Sequence, residues 1–137
     1  FEKLRLRDDL KAAYALKGAL VDSITVSAEA GLTVNPAYTG EGAHTDLIVD
    51  TLSTLPAGTT RWVRLTMRVN LTAATDSVFH NTAIGKGWAK DGSSLEDAST
   101  VGIDPDPDND DDPNNNSVPT PVTLRLQAAP LQATIGL

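Results

Sequence analysis

The stretch TTRWVRLTMRVN, Thr59 to Asn70, decides the fold. Val63, Leu65, Met67 and Val69 alternate with Trp62, Arg64, Thr66 and Arg68, a period of two that turns one row toward a core and the other toward solvent. No helical stripe fits this spacing, so the stretch reads as a half-buried β-strand.

Working outward, the same alternation predicts strands over Lys3–Arg7, Leu20–Ala28, Asp46–Leu52, Val78–Ile84 and Val122–Leu126. Turn signals separate them at Asn35-Pro36, Gly40-Glu41-Gly42, Pro56-Ala57-Gly58 and Lys90-Asp91-Gly92. Between Arg7 and Lys17 the run DDLKAAYAL breaks the period. Its good helix formers, with Asp8 or Asp9 at the N-cap and Leu10, Ala13 and Tyr14 on one face, predict one short helix. Short strands spaced by turns every ten residues or so predict an all-β chain, an immunoglobulin-like β-sandwich with one short helix near the N-terminus. Aromatic residues make up only 4% of the chain, so the core should be aliphatic, with Trp62, Trp88, Phe79 and Tyr38 packing as plugs between sheets or at the rim.

The 137 residues suit one domain. Their net charge of −7 is concentrated in a single segment, because IDPDPDNDDDPNNN, Ile103 to Asn116, holds six aspartates between Asp104 and Asp112. Setting those six aside leaves 12 of the 18 acidic residues against 11 basic ones, so the remainder is nearly neutral. Scattered lysines and arginines without a basic face argue against a nucleic-acid partner. The chain has no cysteine, which excludes disulfides, thiolate metal sites and thiol nucleophiles. No apolar run reaches 18 residues, so no direct membrane insertion through a helix is expected. The opening FEKLRLR reads as the interior of a longer protein.

Asp104, Asp106, Asp108, Asp110 and Asp112 recur at every second position, the spacing with which calcium loops bring oxygen ligands to one ion. Asn109 stands where such loops prefer glycine, and asparagine tolerates the left-handed backbone that this position needs. Pro105 and Pro107 hold the chain extended and reduce the entropy lost on ordering. Hard oxygen ligands favour Ca2+ over zinc, which takes nitrogen or sulfur, and over magnesium, which keeps its water. Position 12 is Asn115 and not glutamate, and no helix-forming sequence flanks the loop, so this is not an EF-hand. A further carboxylate is expected from elsewhere: Asp9, its neighbour Asp8, or Asp97. The alternative is a solvated acidic linker.

Together the segments LRLRDDLKAAY, LTVNPAYTGEG, DTLSTLPAGTTRWVRLTMRVN, VFHNTAIGKGW and DPDPDNDDDPNNNSVPTPVTL resemble one of the tandem immunoglobulin-like repeats of large bacterial surface and adhesin-type proteins. The resemblance runs from Phe1 to Leu124. It implies a β-sandwich repeat over residues 1–126, its calcium loop at 103–117, followed over 127–137 by a linker and the first strand of the next repeat. It also implies neighbouring repeats of the same chain as partners, self-association through unpaired edge strands, and an extracellular, cell-surface setting. One departure is Ala98-Ser99-Thr100-Val101-Gly102, where members often carry an acidic pair before the loop.

Catalytic chemistry is not legible. His44 and His80 lie on different segments, no Gly-x-Ser-x-Gly elbow occurs, and GEG and GKGW lack the spacing of a phosphate-binding loop. Asn81 invites comparison with isopeptide-forming surface domains, with Lys3 or Lys11 as donor; the plainer reading pairs its amide with backbone. The expectation is therefore a non-enzymatic, calcium-stabilised extender repeat. The alternatives are a module that binds carbohydrate or protein, and a self-assembling envelope or fibre subunit.

Overall fold

A computed structural model describes residues 1–102, 104 and 106–125. Its longest ladder is the one that the alternation predicts: β2 (Leu20–Ala28) and β3 (Val63–Asn70) pair antiparallel, with Ile24 opposite Met67 and Val26 opposite Leu65. Val63, Leu65, Met67 and Val69 are half-buried, while Trp62, Arg64, Thr66 and Arg68 are exposed. A register shift between Val21 and Ser23 leaves Asp22 as a bulge residue.

Two further sheets complete the set among the described residues. β1 (Lys3–Arg7) pairs antiparallel with β5 (Ile84–Trp88), which pairs in turn with β6 (Ser94–Ala98); β4 (Val78–Asn81) pairs with β7 (Thr120–Thr123). The fold is all-β and antiparallel, interrupted by the six-residue helix α1 (Leu10–Ala15) and two 3-10 turns, Asp50–Leu52 and Pro113–Asn115.

The sequence reading needs correction at five places, the first being the last strand, which is expected over Val122–Leu126 and runs over Thr120–Thr123. Asp46–Leu52 is not a strand. Asp46 bridges Arg7 and Ile48 bridges Val34, each as an isolated pair, and the chain then closes into the 3-10 turn. The segment lies between β1 and the Thr33–Asn35 stretch, giving Leu47 N–H to Leu6 and Val49 N–H to Thr33, so neither side forms a continuous ladder. Val78–Ile84 divides at Thr82-Ala83 into the whole of β4 and the first residue of β5. β5 and β6 lack the alternation of the other strands, for different reasons. Glycines at alternate positions of IGKGW erase the apolar signal, and β6 is a largely exposed edge strand with Glu96 and Asp97 in it. Finally, Trp62 is no plug: it is 48% exposed, with the Arg64 guanidinium 5.2 Å from its ring centroid. The expected linker and next-repeat strand over 127–137, and Leu126, lie outside the described residues.

The core forms where α1 meets the sheets. Leu10 and Tyr14 are buried one helical turn apart, as the shared face predicts, and pack with Ala19 and Phe79. Ala13, Ile24, Met67, Val69 and Leu124 close around them. The turn that follows the helix closes at Gly18, whose φ of 73° is left-handed, and Ala19 N–H returns to the Tyr14 carbonyl. Asp9 holds the N-cap position without a side-chain capping bond. Asp8 is instead turned inward, 2% exposed.

Candidate metal centre

The aspartate segment follows β6 and leads through the 3-10 turn Pro113–Asn115 into β7, and β6 packs against that turn. Its backbone bends at two left-handed residues, Asn109 at φ 57° and Asp111 at φ 67°. Asn109 therefore takes the conformation that its position in the spacing demands. Both are residue types whose short polar side chains tolerate this region.

These bends gather carboxylates. Asp106, Asp108 and Asp110 each offer an oxygen, and the three oxygens lie within 4.8 Å of one another, an arrangement that could hold a metal ion. Asp106 is half-buried, and it accepts from the N–H groups of Asp110 (3.3 Å) and Asp111 (3.0 Å). Asp104 accepts from Asp106 N–H at 3.1 Å, and Asp112 accepts from Asn114 N–H at 3.1 Å, so these two carboxylates brace the turns on either side of the group. Asn116 is buried; its amide donates to Asp108 at 3.2 Å, and the Asn115 amide donates to Asp110 at 2.7 Å. Donation from Asn116, followed by hydrogen bonding with Asp106, holds the Asp108 carboxyl below the ordinary carboxylate range. A segment that should repel itself is thus cross-braced by backbone N–H groups and the asparagine run.

The donor set is all oxygen. It offers neither imidazole nor thiolate, which suits a hard divalent cation and not zinc or copper. Of the proposed outside ligands, Asp9 is exposed at the start of α1 and belongs to no such group among the described residues. Asp8 is committed to Asn81, whose Nδ2 donates to its Oδ2 at 2.7 Å. Asp97 lies on β6, the strand packed against the Pro113–Asn115 turn, and its buried Oδ1 has no hydrogen-bond partner; nor has the Thr100 hydroxyl, two residues beyond the strand. The run Asn114–Asn116 was the signal that sequence reading passed over: it supplies the amide donors of the loop.

The Asn81 side chain pairs with a buried carboxylate and not with backbone, which corrects the plainer reading. Lys11, one expected isopeptide donor, pairs with Glu41 at 2.7 Å on the surface. Among the described residues no helix is long and apolar enough to cross a membrane. No family model, curated protein or solved structure matches the chain.

Proposed function

We propose that the chain is a non-enzymatic structural repeat of immunoglobulin-like architecture, whose aspartate loop binds calcium and so stiffens a secreted or surface-attached protein. The observation that supports this most is the convergence of Asp106, Asp108 and Asp110 within 4.8 Å. Three carboxylates so close are costly without a cation, and calcium accepts the irregular geometry and the water ligands that this exposed group leaves room for. Ligation converts repulsion into cross-linking. The ion then rigidifies the loop that joins β6 to β7, and calcium at a hundred to a thousand times its dissociation constant adds about 3 to 4 kcal/mol to folding. Isothermal titration of the 137-residue chain with calcium and with magnesium tests the reading. Calcium should give saturable heat, and a thermal melt should shift upward by several degrees relative to chelator; no heat together with superimposed melts removes it.

The exposed Trp62 supports a second reading, a module that binds a ligand such as carbohydrate through that indole. Retention on a glycan array that disappears with Trp62→Ala would favour it.

A further inference from the structure

Asp8 is the one acid that is buried among the described residues. Its N–H donates to the Thr45 carbonyl at 2.9 Å, its carbonyl accepts from the Tyr38 hydroxyl at 3.2 Å, and its Oδ2 accepts from Asn81 Nδ2 at 2.7 Å. The corner between β1 and α1 is thereby tied both to the Tyr38–Thr45 segment and to the end of β4.

Two atoms of the Asp8–Asn81 pair remain unanswered. Asp8 Oδ1 and Asn81 Oδ1 are both buried without a hydrogen-bond partner. With Asp8 ionised both are acceptors only, so neither can serve the other, and each such buried orphan costs about 1 to 3 kcal/mol. One proton resolves both. Carried on Asp8 Oδ1, it donates to Asn81 Oδ1 while Oδ2 goes on accepting from Nδ2, and acid and amide close into a ring with two hydrogen bonds. We infer that in mildly acidic solution Asp8 is a neutral carboxylic acid in the folded chain, doubly hydrogen-bonded to Asn81, and that this pair is a pH-sensitive latch between the β1–α1 corner and β4.

The surroundings favour the neutral form. Burial first, opposed by the Asn81 bond and reinforced by the nearby Asp9 charge, pushes the Asp8 carboxyl up from 3.8 to about 6. Tyr14 on α1 and Tyr38 are raised as well, by burial and then by the Asp8 charge, so both stay neutral phenols in this range. Arg7 on β1, His80 on β4, and Glu41 and His44 in the adjoining segment are exposed. Among the described residues no cation pairs with Asp8. The proton comes from solvent and returns there as pH rises. Because the folded value lies above the unfolded one, the latch's contribution is complete below about pH 4 and is lost as pH rises through about 6. The folding equilibrium should weaken on the order of a hundredfold across that interval on this account.

The test is a carboxyl-carbon NMR titration of the aspartate-labelled chain. The Asp8 resonance should titrate with a midpoint near 6; a midpoint in the ordinary carboxylate range overturns the inference. Asp8→Asn supplies the second measurement. Its amide N–H can donate to Asn81 Oδ1 at any pH, so the variant should be more stable than the parent at pH 8 and lose the parent's slope between pH 4 and 7. A variant weakened equally at both ends of that range counts against the latch. If it fails to fold, the titration of the parent chain still decides.

Discussion

The rings of Tyr14 on α1 and Phe79 on β4 stack with centroids 4.8 Å apart and planes within 11°. Both side chains are fully buried. The helix is too short to be stable alone; this contact holds it on the β4–β7 ladder, and the Asp8–Asn81 pair ties the β1–α1 corner to the same strand, β4.

Truncating Phe79 to Ala should therefore cost about 3 to 5 kcal/mol, through lost burial and the cavity left under Tyr14. Chemical denaturation should show this as a lowered midpoint. Near-ultraviolet dichroism of Tyr14 should weaken as well, even under conditions where the variant stays folded.

Gly18→Ala should destabilise by a different route. The residue sits at φ 73°, and a methyl group there would collide with the Ala73 carbonyl. Backbone cannot yield as a flexible side-chain end does, so a loss of more than about 1 kcal/mol is expected. Gly58→Ala shares the positive φ but faces open space, and the thermal midpoints should rank the two variants, Gly18→Ala lower.

Substitutions can sort the carboxylates of the calcium reading. Asp108→Asn should weaken calcium binding at least tenfold in a calorimetric titration. Asp97→Asn should also weaken it, because its unpartnered Oδ1 lies on the strand that packs against the loop's end. Asp9→Asn, at an exposed position beside α1, should leave affinity within about twofold. A loss confined to Asp9→Asn would redraw the site.

Acid should act on a separate part of the fold. Asp76 accepts from Lys17 Nζ at 2.7 Å and from the N–H groups of Ser77 and Val78, which lower its carboxyl from 3.8 to about 2, the lysine bond contributing most. A depressed folded value means that the stabilisation is present above about pH 4 and lost as pH falls toward 2, the reverse of Asp8. Lys17→Met should flatten the acid limb of the stability profile without altering the limb between pH 4 and 7. The group is exposed, so the effect should shrink in high salt.

Much of this fold is a local matter. β1 and β2 occupy the residues where period two places them, and Leu10 and Tyr14 share a face because 3.6 residues per turn allows nothing else. The aspartate spacing and the left-handed tolerance of Asn109 were likewise open to reading, since both depend on a few consecutive residues. β5 was not legible: its glycines carry no hydrophobic signal, and Gly87 earns its place only because the Phe1 ring lies over it, where an added Cβ would come within 2.5 Å.

The chain's order of residues by itself set the alternating strands, the helix and the crowding of negative charge. Tertiary structure alone decided that Asp8 should face Asn81 across 73 positions, and that β6, which carries Asp97, should pack against the Pro113–Asn115 turn. Periodicity reports which way a side chain points from its own element, whereas the partner it meets, and hence its charge state, depends on which distant element the fold brings to that side.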